Sequence, residues 1–261
     1  MESGDRNKRG RNGFPLRFVI WITRRGWVRL AVITGLVLLI GVVFVAEMPS
    51  ARTWTYWTHP LSGKVIALDA GHGGPDGGAS SREGAIEKDL NLAVVLYLRD
   101  YLQQAGALVL LTREGDYDLA GPDTKGYSRR KTEDLLQRAA RVREGKVSLA
   151  LSIHMNSIPS PRWSGAQTFY YSKNEHSGKL AADIQAEIKL SLGNTMREAK
   201  AKDDVYLLKT LEIPTALVEV GFLSHPEEAR LLTDEDYQKK VAAAIYRGIL
   251  KYTASEGGRS L

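Results

Sequence analysis

From Lys64 onward, short apolar runs alternate with longer segments of helical period, and this alternation limits the fold more than any other feature of the chain. Val65–Leu68, Leu108–Leu111, Val147–Ile153, Ala166–Tyr171, Val205–Leu208 and Thr215–Val220 read as strands. Between them lie helical patterns. Leu90, Val94, Tyr97 (or Leu98) and Tyr101 recur at helical spacing from Glu87, with Gly106 as the stop. Leu135, Leu136, Ala139 and Val142 predict the apolar face of a second helix, and Ser177–Leu192 predicts a third, closed by Gly193. Ser224-His-Pro-Glu227 has the spacing of a capping box and opens a long helix to about Tyr252. Strands alternating with helices predict an α/β fold: a mostly parallel, mixed sheet flanked by helices on both faces.

The N-terminal part follows different rules. Residues 1–29 carry eight basic and two acidic side chains, and Leu30–Ala46 is a run of seventeen residues without a charge. At about 1.5 Å per residue the run reaches roughly 25 Å, the lower limit for crossing a bilayer. The basic segment before it orients the N-terminus to the cytoplasm. Phe44-Val45-Ala46 is a poor cleavage site, which favours a single uncleaved transmembrane anchor over a signal peptide. The expected organisation is a basic cytoplasmic segment (1–29), a transmembrane anchor (30–46), a juxtamembrane linker (47–63), a folded α/β domain (64–253) and a tail (254–261). Trp54 and Trp57 in the linker suit a membrane interface or the domain edge, and His59 is incidental.

Charge and cysteine content narrow the chemistry. The formal net charge of +6 is accounted for by residues 1–29, because residues 30–261 hold 28 basic and 28 acidic side chains. The folded part therefore has no overall basic field, and nucleic acid is not an expected partner. The absence of cysteine removes disulfides, thiolate ligands and Cys nucleophiles, leaving His and carboxylates to bind metal.

Strand one runs into Gly71-His72-Gly73-Gly74. Taken alone, that turn admits a phosphate cradle, a capped loop histidine or a metal site. The third strand delivers His154, and the late strand Ala216–Val220 carries Glu219 among apolar neighbours. Glu87 opens the helix after the Gly-rich loop, where a helix dipole alone would account for a carboxylate. Glu219 is harder to explain structurally, since a carboxylate in an apolar strand must be paired, protonated or on a metal. In open α/β sheets the ligand crevice lies off the carboxyl ends of the strands, so these groups can converge there. Two imidazoles, two carboxylates and no cysteine match a His₂Glu zinc site with one further acid/base. The separations of 15 and 67 residues are not a local signature. No Gly-Lys-Ser/Thr closes the glycine loop, and Glu87 would repel an anion, which disfavours the phosphate reading.

Five blocks occur in order: Leu68-Asp-Ala-Gly-His-Gly-Gly74, Glu87-Lys-Asp-Leu-Asn-Leu92, Leu111-Thr-Arg113, Ser152-Ile-His-Met-Asn156 and Val218-Glu-Val-Gly-Phe-Leu-Ser224. Together, over residues 64–252, the chain resembles the zinc-dependent N-acetylmuramoyl-L-alanine amidases of the amidase-3 family. The short domain, the basic N-terminal anchor and the Arg-Lys-Thr-Glu-Asp-Leu run at 130–135 are most similar to the germination-specific (CwlD-type) amidases of spore-forming bacteria. The resemblance implies that His72, Glu87 and His154 hold Zn²⁺ and that Glu219 is the catalytic carboxylate. Asn156 and Arg113 fall in family motifs as supporting or substrate-side residues. The implied reaction is hydrolysis of the amide between the lactyl group of N-acetylmuramic acid and L-alanine in peptidoglycan, in the spore cortex during muramic lactam formation and germination. Implied partners are peptidoglycan, the membrane through the N-terminal helix and an activating protein, with the domain outside the membrane. The rival expectation is a non-catalytic peptidoglycan-binding protein of the same fold, against which the intact Glu219 counts.

Overall fold

The computed structural model describes residues 23–47 and 59–257, which form two compact units. In the first, α1 (Arg24–Glu47) is a single helix. Its apolar side chains from Trp27 to Val42 are exposed, and by length and composition it is able to cross a membrane. Trp54, Trp57 and most of the expected linker lie outside the described residues.

The second unit is built on six strands: β1 (Val65–Ala70), β2 (Leu108–Leu111), β3 (Leu149–Asn156), β4 (Gln167–Tyr170), β5 (Lys200–Ala201) and β6 (Thr215–Phe222). They lie in the order β2-β1-β3-β6-β4-β5. The first four neighbours are parallel, and β4 runs antiparallel to β6. The expected mixed, mostly parallel sheet is therefore present.

Side-chain alternation divides the central strands between two layers. Leu68, Ala70, Leu151, Ile153, Val218 and Val220 enter the larger core. That core is covered by α2 (Glu87–Gln104), α4 (Glu175–Leu192) and α7 (Glu235–Gly257). The intervening residues Ala67 and Ala150 face a smaller apolar cluster with Ala139, Val142, Leu207 and Leu211. These come from α3 (Tyr127–Glu144) and the short α5 (Tyr206–Thr210) with its C-cap. Val94, Val95 and Leu98 of α2 are fully buried, and each such side chain contributes roughly 1.5–3 kcal/mol of transfer free energy.

Several local expectations are corrected. Val205–Leu208 is not a strand: Tyr206–Thr210 forms α5, and the nearby strand is Lys200–Ala201. A four-residue apolar run is read equally well as one turn of buried helix, and here Leu207 and Leu208 are buried on α5. The expected Ser224–Glu227 capping box is not formed. His225 is the N-cap of α6 (Pro226–Leu232), its Nδ1 accepting from the Glu228 N–H at 3.3 Å, while Ser224 Oγ accepts from Ile158 N–H. The single long C-terminal helix is two, α6 and α7, separated at Thr233 and Asp234; α7 continues into the expected tail as far as Gly257. On α3 the buried face holds Asp134 and Arg138 beside Ala139 and Val142, and Leu136 is exposed. Apolar spacing alone does not mark this face, because the helix turns two charged side chains inward.

Candidate active site

Adjacent β1, β3 and β6 bring three groups to one edge of the sheet. Asp69 pairs with Ser152 in register, and His154 pairs with Glu219 on the neighbouring strand. By alternation Asp69, Ser152, His154, Leu217 and Glu219 share the face toward α3, and all line one cavity of about 310 Å³. His72 follows the end of β1 and lines the same cavity. Glu87, the first residue of α2, reaches the edge from the other side of the sheet.

Three donors converge tightly. His72 Nε2 and His154 Nδ1 each lie 3.1 Å from Glu87 Oε1. The two imidazoles stand edge to face with centroids 5.0 Å apart. Ligands on bonds of about 2.0–2.1 Å in tetrahedral array sit roughly 3.3 Å from each other, so the donor spacing and the N,N,O chemistry fit a zinc-type ion. Glu87 is fixed through both oxygens. Its Oε2 accepts from Ala79 N–H at 2.8 Å, and Oε1 from Met155 N–H at 3.1 Å. Burial opposes ionisation of Glu87, but the hydrogen bonds and charges of the two histidines outweigh it and hold its pKa well below the usual range.

The loop that carries His72 is strained and closely held. His72 has φ +64°, a left-handed conformation rarely taken by non-glycine residues. Burial lowers its basicity, yet Asp76, 2.9 Å from Nδ1, and Glu87 together raise its pKa to about 9 in the absence of metal. Three successive carbonyls behind it point at two buried guanidinium groups. Arg113 donates to Ala70 O, Gly71 O, Lys88 O and Gly115 O at 2.7–3.0 Å. Arg138 donates to Ala70 O at 2.8 Å and to His72 O at 2.6 Å. Arg138 also pairs with Asp69 (2.7 Å) and Asp134 (2.8 Å), and Asp69 in turn accepts from Thr112 and Ser152 hydroxyls. Gly71 has to be glycine because a Cβ there would overlap the His154 ring.

Glu219 differs from every other carboxylate in the domain core. Its Oε2 is buried and has no hydrogen-bond partner among the described residues. Burial pushes its pKa up, against the opposing pull of His154. It stands one strand away from His154 and lines the cavity.

The structure thus brings His72, Glu87, His154 and Glu219 together. Arg113 lies behind them as a brace for the loop. Asn156 ends β3 just beyond a register shift after His154, and its carbonyl accepts from Leu223 N–H at 2.8 Å. Sequence reasoning missed Arg138, Asp76 and Asp69. Asp69 and Asp76 lie in or beside the glycine motif, so proximity to His72 was an available signal. Arg138 had none, being one arginine among several on a polar helix.

Residues 66–251 match the family model described as N-acetylmuramoyl-L-alanine amidase. The chain belongs to the N-acetylmuramoyl-L-alanine amidase family. It is 50% identical over 228 residues to the germination-specific N-acetylmuramoyl-L-alanine amidase of Bacillus subtilis, covering 87% of this chain and 95% of that protein. Among solved structures, the CwlD amidase from Clostridioides difficile, determined in complex with the GerS lipoprotein, superposes with a TM-score of 0.72. That pair shares 43% identity and covers 74% of this chain and 99% of the other. The catalytic domain of CwlV, an amidase from Bacillus (Paenibacillus) polymyxa var. colistinus, gives a TM-score of 0.62 at 32% identity, over 72% of this chain and 97% of its own. This amidase is accordingly a hydrolase of the cell wall, and the cavity at the β1-β3-β6 edge is its candidate active site.

Proposed function

We propose that this amidase hydrolyses, in a zinc-dependent reaction, the bond between the lactyl group of N-acetylmuramic acid and the L-alanine that begins the stem peptide. His72, Glu87 and His154 hold the ion and Glu219 is the catalytic carboxylate. The observation that carries the reading is the pair of 3.1 Å approaches of His72 Nε2 and His154 Nδ1 to Glu87 Oε1, with the partnerless Glu219 Oε2 on the adjacent strand. When bound, the ion lowers the pKa of a water toward neutrality and polarises the scissile carbonyl. Glu219 takes the proton of the attacking water and returns it to the nitrogen of the departing L-alanine, a task suited to a carboxylate whose pKa is raised by burial. Arg113 and Arg138 keep the His72 loop in place, so the histidine does not have to be ordered when substrate arrives.

The proposed setting is the spore cortex, where removal of stem peptides precedes muramic lactam formation and germination. Support comes from the 50% identity to a germination-specific amidase over nearly the whole of that protein. The proposed organisation is an α1 anchor with the catalytic domain, about 64–253, on the extracytoplasmic side. A protein partner is also proposed, since the 43% identical CwlD amidase was solved with a lipoprotein.

The test uses the full chain in detergent, as wild type, Glu219→Ala and His154→Ala, scored for bound zinc and for stem peptides released from isolated peptidoglycan. The expected pattern is zinc and release in wild type, zinc without release in the first variant, and neither in the second. Wild type devoid of zinc, or His154→Ala retaining it, would overturn the assignment.

A further inference from the structure

The sequence from 64 to 261 contains one tryptophan, Trp163, and it lies in the segment between β3 and β4. Tryptophan is on average a highly buried residue, yet Trp163 is 52% exposed. Its surroundings are nonetheless held firmly. The Arg197 guanidinium carbon lies 6.0 Å from the Trp163 ring centroid and 5.2 Å from that of Phe222. The same arginine donates to the carbonyls of Ser164 and Gly165 at 2.5 and 2.6 Å. From the other side Glu228 accepts from the N–H of Gly165 and of Phe222, both at 2.8 Å, tying the tryptophan segment to the end of β6.

Phe222 is three residues beyond Glu219, and Gln167, four residues beyond Trp163, is the cross-strand partner of Glu219. The segment that carries the indole therefore enters β4 at the same end of the sheet as the candidate catalytic carboxylate. An exposed aromatic ring on a tied-down stretch of backbone offers an apolar face, and the C–H face of a pyranose ring is its natural complement. Arg197 marks this as a supported ring, backed by a cation while still half open to solvent.

We propose that Trp163 is a sugar-stacking subsite of this amidase, binding an N-acetylated amino-sugar ring of the glycan chain next to the muramoyl unit being cleaved. The inference rests on the amidase reading above and adds a glycan subsite to it. It implies that the enzyme distinguishes a muramoyl peptide within a chain from an isolated one, through contacts made by Trp163.

The experiment measures binding by the zinc-loaded full chain in detergent, using a soluble N-acetylglucosamine hexamer and, separately, N-acetylmuramoyl-L-alanyl-D-isoglutamine. Trp163→Ala is expected to weaken hexamer binding roughly three- to tenfold, the range of a good aromatic contact. Trp163→Phe is expected to recover most of that loss, and the affinity for the short muramoyl peptide is expected to stay the same in all three proteins. An unchanged hexamer affinity in Trp163→Ala, or no hexamer binding by wild type at millimolar concentration, overturns the proposal. Equal losses for both probes would also overturn it, by showing that Trp163 only supports the fold. Stem-peptide release is scored in parallel, so hexamer binding without release points to failure of the amidase reading and not of the subsite.

Discussion

Replacing Arg138 by methionine tests how far the candidate metal site depends on its support. The side chain is 1% exposed and makes four contacts: Asp69 at 2.7 Å, Asp134 at 2.8 Å, and the carbonyls of Ala70 and His72 at 2.8 and 2.6 Å. Methionine fills much of the same space, so the change removes charge and donors more than volume. Breaking a buried ion pair by deleting one partner costs about 3–5 kcal/mol, because the remaining carboxylate stays desolvated. Asp69 keeps the Thr112 and Ser152 hydroxyls and Asp134 keeps the Leu119 N–H, which places the expected loss toward the middle of that range, about 4 kcal/mol. For a domain of this size each kcal/mol lowers Tm by about 2–4 °C, so the melting temperature is expected to fall by roughly 8–16 °C. Zinc affinity should drop as well, by about 10- to 100-fold, since the His72 carbonyl loses its donor and the strained loop its hold.

The pH dependence supplies an independent check. Burial raises the Asp69 pKa, but the charge and hydrogen bond of Arg138, the Ser152 hydroxyl and the charge of His154 together outweigh it and leave the group at about 2, below its unfolded value. A depressed carboxylate contributes stability that is present above the unfolded pKa and is lost as pH falls through the folded one. Wild type should therefore lose this contribution on acidification toward pH 2. In Arg138→Met the largest of these opposing causes is gone, the Asp69 pKa rises toward or past its unfolded value, and the loss of stability on acidification should be smaller in the variant than in wild type. Thermal unfolding followed by circular dichroism at several pH values reads both effects. A fall in Tm of less than about 2 °C with unchanged zinc affinity would refute the reasoning, as would the same pH slope in both proteins.

Gly71→Ala should displace His154, because the added Cβ overlaps its ring, and bound zinc should fall below one equivalent in metal analysis of a protein that still melts cooperatively. Glu219→Gln keeps the shape of the side chain but cannot take a proton; release of stem peptides should decline about 10²- to 10⁴-fold with zinc content unaltered. Deleting residues 1–47 should shift the protein from the membrane pellet to the supernatant on fractionation, since α1 exposes apolar side chains from Trp27 to Val42. Retention of the shortened chain in the pellet would argue against an anchor.

The main architecture was legible because apolar alternation and helical spacing act locally. Glu87–Gln104 and Leu108–Leu111 follow their patterns closely, and Gly106, at φ +90°, separates them. Glu219 stood out because an acidic residue in an apolar strand requires a reason wherever the strand ends up. What escaped the sequence is what depends on neighbours far along the chain. Val205–Leu208 was assigned by composition, but its place beneath β6 and beside α3 made it one turn of helix. Arg138 and Asp134 were invisible for a related reason: on a helix with this much charge, nothing local says which residues turn inward. The partners of Arg138 beyond Asp134, namely Asp69 and the carbonyls of the His72 loop, lie more than sixty positions earlier, and only the sheet brings them together.

The pairing of His154 with Glu219 across β3 and β6 has a consequence for how such an enzyme diversifies. Neighbouring strands are held about 4.8 Å apart by their backbone hydrogen bonds. The sheet thus acts as a ruler between the imidazole and the carboxylate, and the spacing does not depend on the length or sequence of any loop. Segments around the rim, including the one that carries Trp163, can be lengthened, replaced or re-aimed while the interval between the imidazole and the carboxylate is preserved. Selection acting on which wall is cut and selection acting on how the bond is cut can then proceed on different parts of the same chain.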